Sequence, residues 1–295
     1  MSSRSQALMF NDGRLHMNDG PIDLIIEAFG DREQITQAYR AAAERFVTVL
    51  DELCGELSML RQSPDDGAPP IGVIARRMTA AVRPYASQTF ITPMAAVAGA
   101  VAEEILIAMT TTAELSRAYV NNGGDIALHL TPGERFVVGM VERPDRASLF
   151  GTAAIEFNDP IRGIATSGWR GRSFSLGIAD AVTVLADTAA MADAAATVIA
   201  NSVDLPGHPD VVRVPACELA PDNDLGERLV TQGVGELQAH EVSSALASGV
   251  CRSRELRAAG LIRAAALSLK GVVRIVGADS QSRLFLSRER NLIHA

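Results

Sequence analysis

Apolar and polar positions alternate through the first thirty residues around two Asn-Asp-Gly turn signals, 11–13 and 18–20. This pattern predicts short antiparallel strands over 1–30, ending in the run 21–29. After Gly30 the period lengthens. Asp31 is placed to cap a helix with Gln34 three residues on, and Ile35, Tyr39, Phe46, Leu50, Leu53, Leu57 and Leu60 fall on one stripe. The stripe predicts one long amphipathic helix over 31–63, ended by the break SPDDGAPP. A shorter helix is expected at 71–82 and a strand at 89–91. The stretch PMAAVAGAVAEEILIAM then carries small residues on nearly every face, so a helix here packs against backbone or ligand rather than bulky side chains.

From Tyr119 to Ala186 the text becomes β-like, with strands expected at 125–130, 135–141, 153–157, 161–166 and 181–185, separated by NNGGD, TPGE, ERPD and NDP turns. Loops this short imply antiparallel pairing. An alanine-rich helix at 188–201, a strand near 211–214, a helix at 235–258 and strand text at 262–276 complete the chain. The fold class is α+β, a mainly antiparallel sheet packed with helices, expected as a single domain over 1–295.

A chain of 295 residues with 47% hydrophobic and 21% charged positions has enough apolar material for a sizeable core, which excludes wholesale disorder. The net charge of -8 argues against a sequence-independent grip on nucleic acid, which needs clustered cations. Lys270 is the only lysine among 27 Lys and Arg residues, so lysine chemistry is confined to one position and arginine supplies the cations, favouring bidentate contacts to phosphate or carboxylate. Cys54, Cys217 and Cys251 are far apart, with no zinc or disulfide spacing, and Cys217 and Cys251 read as small buried residues. With no apolar leader in MSSRSQALMFNDG, and Glu103 and Glu104 interrupting the most apolar window, a cytoplasmic protein without a membrane partner is expected.

Three segments put glycines or very small residues beside groups that carry chemistry. In Asn121-Asn122-Gly123-Gly124-Asp125, entering a strand after a helix, the glycines let amides approach a ligand and Asp125 can bind a hydroxyl or a metal-bound water; the same residues also suit a plain helix-to-strand turn. In IATSGWRGRSFS, Thr166, Ser167 and Gly168 end a strand, and Arg170 and Arg172 follow. That loop reads either as a pyrophosphate clamp or as a solvated arginine loop, and Trp169 either shelters a flat ring or caps the core. In DTAAMADAAATVIAN, Asp193 and Thr197 are spaced i, i+4 and share a helix face, where a carboxylate and a hydroxyl can hold one hard cation such as Mg²⁺; helices also show this spacing without any ligand. Among the histidines, His129 reads as a packed strand residue, and His16, His208, His240 and His294 have no catalytic context.

Taken in order, PMAAVAGAVAE, YVNNGGDI, IATSG and AMADAAAT resemble the ApbE-like superfamily, the FAD:protein FMN transferases. The stretch IATSGWRGRSFSLGIADAVTVLADTAAMADAAATVIANSV looks most like its UPF0280 branch, and the resemblance is carried by a core over 91–203. It implies a cleft between sheet and helices that takes FAD with Mg²⁺ at its pyrophosphate. It also implies Asp193, Thr197 and the main-chain oxygen of Ala95 as metal ligands, with Asn122, Gly123, Gly124, Asp125, Thr166, Ser167, Gly168, Arg170 and Arg172 around the cofactor. In such a site a protein threonine hydroxyl attacks the phosphoanhydride, FMN is transferred and AMP leaves.

Two departures from the transferase pattern bear on activity. The transferases' Lys-Gly pair is Ala98-Gly99 here, and their His-x-x-Asp-Pro sequence is replaced by Ser175-Leu176-Gly177-Ile178-Ala179-Asp180, which leaves no evident general base. A non-transferase binding or accessory protein, or another metabolite-directed enzyme using the same cleft, therefore stands beside FMN transfer. The partners expected are a small-molecule ligand, a second copy in a homodimer and a flavoprotein acceptor.

Overall fold

The computed structural model describes residues 4–65, 69–143, 146–277 and 284–285. Strands β1 (Gln6–Met9), β2 (Leu15–Asp19) and β3 (Ile22–Phe29) open the chain. Helices α1 (Arg32–Gly55), α2 (Leu57–Leu60), α3 (Val73–Val82) and α4 (Val97–Thr112) follow, the last preceded by a 3₁₀ turn, Pro93–Ala96. Then come β4 (Arg117–Asn122), β5 (Asp125–Leu130), β6 (Arg135–Arg143), β7 (Arg146–Glu156), β8 (Gly163–Ser167), β9 (Ala181–Ala186) and α5 (Ala189–Ser202). The remainder is β10 (Val211–Pro215), α6 (Ala216–Leu219), β11 (Leu229–Val234), α7 (Ala239–Ala258), β12 (Ala264–Leu269), β13 (Val272–Val276) and β14 (Leu284–Phe285).

Nine strands form one antiparallel sheet in the order β1-β2-β3-β4-β5-β8-β9-β12-β13, so the architecture is α+β as the turn-rich pattern predicts. Strand alternation sorts side chains onto two faces. Leu24, Ile26, Ala118, Val120, Ala127, Ala165, Val182, Val184, Ala265 and Leu267 join the helices in the main core. Leu128, Leu130, Ile164, Leu185 and Ala264 face the other way and pack with Ile155, Phe136 and Val138 of the β6–β7 ribbon.

The helix expected over 31–63 ends early. Asp31 caps α1 by accepting from Glu33 N at 2.8 Å, whereas Gln34 reaches away and accepts from Glu114 N at 2.8 Å. At the other end the Glu56 carboxylate accepts from Ile71 N at 2.8 Å and Gly72 N at 2.6 Å, the amides that open α3, so the chain turns at Glu56 to satisfy the next helix. The strand expected at 89–91 is not formed. Thr89 N donates to Tyr85 O instead, and Phe90 lies under the Arg228 guanidinium, 3.3 Å from its ring centre. Nor are the cysteines buried as expected: Cys251 is exposed and Cys217 half-buried, with Sγ 3.2 Å from Glu227. His129 is a strand residue whose Nε2 donates to Leu115 O at 3.2 Å, while His294 and part of the ERPD turn lie outside the described residues.

Among the described residues one helical stretch, Pro93–Thr112, is long and apolar enough to cross a membrane by length and composition. In the fold it forms the centre of the helix layer. Its two carboxylates are held in ion pairs, Glu103 with Arg77 (2.9 Å) and Glu104 with Arg45 (2.8 Å) and Arg77 (3.2 Å).

Candidate functional site

The Asn-Asn-Gly-Gly-Asp segment is a strand-to-strand connection, not the helix-to-strand turn expected, because residues 117–122 pair as β4 with both β3 and β5. Gly123 and Gly124 form the two-residue loop with φ of 66° and 115°, a left-handed geometry that glycine adopts without strain. Gly124 N donates to Asn121 Oδ1 at 2.8 Å, which fixes the turn. Asn122 continues the face of Ala118 and Val120, and Asp125 continues the face of Ala127, so alternation directs both toward the helix layer. There Asn122 Nδ2 donates to Ala98 O at 3.2 Å.

Ala98 and Gly99 lie in the first turn of α4, where amides have no partner within the helix. Asp193 of α5 supplies one, its Oδ2 accepting from Gly99 N at 3.0 Å. The two helices approach this closely because Gly99 has no side chain; a Cβ there would collide with the Ala189 carbonyl. Thr197 lies one turn further along α5 on the face of Asp193, is half-buried, and its hydroxyl has no hydrogen bond among the described residues. Ala95, half-buried in the 3₁₀ turn before α4, donates its amide to Thr92 O at 3.1 Å.

Asp125 and Asp193 lie within electrostatic reach of each other. Burial holds the Asp193 carboxyl well above the usual carboxylate range, and the neighbouring Asp125 charge pushes it further up; amides of Gly99 and Ala98 oppose this. Burial likewise pushes Asp125 up to about 7, opposed by the Thr166 amide and the Arg172 charge. As residues, Asp125 and Asp193 are each half-buried.

The end of β8 reaches the same place. Thr166 N donates to Asp125 Oδ1 at 3.3 Å, while the Thr166 hydroxyl turns to the opposite face and pairs with Thr183 Oγ1 at 2.9 Å. Ser167 shares the face of Ala165 and so points toward the helix layer. Gly168 is buried against Asp180, whose carbonyl oxygen would lie 2.5 Å from a Cβ.

The two arginines of the following loop separate. Arg170 Nε binds Asp180 Oδ1 at 2.8 Å and its guanidinium stacks on Trp169, 4.2 Å from the ring centre. Trp169 Nε1 donates to the same oxygen at 3.1 Å, and Lys270 N donates to Asp180 Oδ2 at 2.6 Å. Arg170 and Trp169 are thus engaged by a buried carboxylate. Arg172 is exposed, and its guanidinium lies across Gly123, where a Cβ would overlap it.

The structure therefore gathers Asn122, Gly123, Asp125, Thr166, Arg172 and Asp193 around the α4 amino terminus, and turns Arg170 away into a partner of Asp180. Sequence reasoning missed the service of Asp193 to Gly99, a bond across 94 residues, and missed Asp180 as the loop's anchor. The run of small residues at 95–100 was the one local signal of that approach.

A family model described as AbpE bacteria matches residues 7–275. Among curated proteins, a UPF0280 protein from Methanopyrus kandleri is 38% identical over 136 residues, covering 46% of this chain and 50% of the relative. One from Methanothrix thermoacetophila is 40% identical over 145 residues, covering 48% and 55% respectively. A third, from Methanothermobacter thermautotrophicus, is 37% identical over 169 residues, covering 54% and 62%. The chain thus spans between half and two thirds of the length of these relatives.

Proposed function

The chain belongs to the UPF0280 family, and from that premise we propose that it has an ApbE-like fold whose cleft binds a nucleotide pyrophosphate with Mg²⁺, a flavin dinucleotide being the first candidate. The observation that carries this reading is the pair of half-buried acids Asp193, held on Gly99 N, and Asp125, held on Thr166 N, with the Asp125 charge opposing ionisation of Asp193, beside a Thr197 hydroxyl with no hydrogen bond among the described residues. Such an arrangement is unfavourable alone and becomes favourable with a hard cation.

The donor set fits Mg²⁺, being all oxygen: the Asp193 carboxylate, the Thr197 hydroxyl and the Ala95 carbonyl, with phosphate and water completing the shell. Bound there, the cation supplies positive charge to phosphoanhydride oxygens. The chain's own residues do the rest. Asn122 ties the turn to Ala98 O, Gly124 has open space where a Cβ would stand, and Arg172 offers a guanidinium at the rim. FMN transfer from FAD to a flavoprotein acceptor is the activity this reading extends to, with Thr–O–P forming, the phosphoanhydride breaking and AMP leaving.

A binding or accessory role without turnover is the second reading, favoured by one observation: Ala98, where the transferases have lysine, has no cationic side chain and accepts from Asn122 through its carbonyl. Calorimetry with FAD and Mg²⁺, followed by mass spectrometry for AMP, tests both. Magnesium-dependent binding that Asp193→Ala abolishes supports the cleft; AMP release supports transfer; binding without AMP selects the accessory role. Absence of binding at tens of micromolar FAD removes the flavin assignment.

A further inference from the structure

The two arginines of the loop after β8 have opposite environments, and this difference carries an inference about how the site is regulated. Arg170 is engaged by Asp180 through Nε and stacked on Trp169. Arg172 is exposed and has no hydrogen bond or short ion pair among the described residues, but its guanidinium rests against Gly123. It lies in the notch above Gly123, which exists only because that residue has no Cβ, and there its charge acts on Asp125. A cation held beside one carboxylate of an acidic pair is a counter-ion in the place where a metal's charge is wanted. It is also a phosphate ligand in waiting, since the arginine fork matches two phosphate oxygens better than it matches a crowded carboxylate edge.

We propose that Arg172 is a resident counter-ion that competes with the metal for the Asp125–Asp193 pair in the ligand-free protein and transfers to the ligand's phosphate when the metal–nucleotide complex arrives. The inference rests on the metal and pyrophosphate reading of the cleft and adds a regulating residue to it. Its physical content is that one guanidinium makes two contributions of opposite sign. It opposes a bare cation by Coulomb repulsion, and it favours a metal–pyrophosphate complex, whose net charge is negative. Gly123 is the structural condition for the first contribution, because any side chain there evicts the guanidinium from its notch.

The test measures Mn²⁺ binding by electron paramagnetic resonance of the free ion, and binding of inorganic pyrophosphate in saturating Mg²⁺ by calorimetry. Wild type, Arg172→Ala, Gly123→Ala and Asp193→Asn are compared, with circular dichroism confirming that each is folded. Arg172→Ala is expected to bind Mn²⁺ about tenfold more tightly and pyrophosphate about tenfold more weakly than wild type, the scale of one partly screened charge contact. Gly123→Ala is expected to reproduce the gain in Mn²⁺ affinity while Arg172 is still present. Unchanged or weakened Mn²⁺ binding in Arg172→Ala overturns the proposal, as does unchanged pyrophosphate affinity. Should wild type and Asp193→Asn bind Mn²⁺ equally poorly, the metal reading of the cleft fails with it; if wild type binds and Asp193→Asn does not, only the role of Arg172 is at stake.

Discussion

Glu103 and Asp193 each satisfy the amino terminus of the other's helix. Glu103, on α4, accepts from Ala190 N at the start of α5 at 2.7 Å, and Asp193, on α5, accepts from Gly99 N at the start of α4 at 3.0 Å. Each carboxylate meets orphan amides at the positive end of a helix dipole, so the pair of bonds fixes both the spacing and the rotation of the two helices. Glu103 is in addition paired with Arg77, which ties the arrangement to α3. The consequence for function is that Asp193 is aimed by the fold itself: the face of α5 carrying Asp193 and Thr197 cannot rotate without breaking this exchange.

Gly99 is the contact point of that exchange, and Gly99→Ala tests it. The added methyl meets the Ala189 carbonyl, which is backbone and cannot move aside as a flexible side chain would. Overpacking of this kind costs about 1–3 kcal/mol, only partly offset by alanine's better helix propensity. Urea denaturation is expected to show that loss. Divalent-cation affinity should fall as well, because Asp193 is pushed off the Gly99 amide. A variant as stable as wild type would mean that the helices are not locked at this point.

The acidic pair gives the metal-free protein a pH dependence of defined sign. Asp125 is held at about 7 in the folded chain against 3.8 as its ordinary value. Between those values the folded state keeps a proton that the unfolded state releases, so this group's contribution is fully present below about 4 and is lost as pH rises through about 7. Asp193, raised by burial and by Asp125, acts in the same direction. In the presence of a chelator, stability should therefore fall more steeply from pH 5 to pH 8 in wild type than in Asp125→Asn, which keeps an acceptor for Thr166 N without the charge. Equal slopes in the two proteins, read as urea midpoints across the range, would refute the assignment.

What was legible in the sequence were the features that one element expresses alone. Asp31 and the apolar stripe of α1 announce their helix, and Asp193 with Thr197 announces a shared face, because both rest on the helical period. Strand β4 escaped notice because its helix-facing positions, Ala118, Val120 and Asn122, include a small and a polar residue, so alternation gives a weak signal. Strand β11 escaped because, among the described residues, it pairs with β10 alone in a two-stranded ribbon and exposes Leu229. The end of α1 at Gly55 was hidden because Glu56 is called away by amides at Ile71 and Gly72, a tertiary demand that leaves no trace in local periodicity. In the site the same division holds: the glycine turn reads locally, whereas the sorting of Arg170 from Arg172 depends on where Asp180 lies once β9 is paired.

Asp180 is the residue on which that sorting turns, and it gives a prediction with its own optical reporter. It is buried and accepts from Trp169 Nε1, Arg170 Nε and Lys270 N, the last belonging to a residue with φ of 51° in the tight turn between β12 and β13. The main-chain bond from Trp169 N to Ala179 O, at 3.0 Å, closes the loop above it. Asp180→Ala leaves these donors without their acceptor and should cost about 2–4 kcal/mol, the range for breaking a buried charged hydrogen-bond group. Asp180→Asn keeps one carbonyl oxygen and should cost less. Because Trp169 is the only tryptophan, its emission reports the loop directly and should shift to the red in Asp180→Ala as the indole loses its partner and gains water. The loop also carries Arg172, so pyrophosphate affinity should fall in parallel with the spectral change. An Asp180→Ala protein with unaltered emission and an unaltered denaturation midpoint would show that the loop is held by something other than this carboxylate.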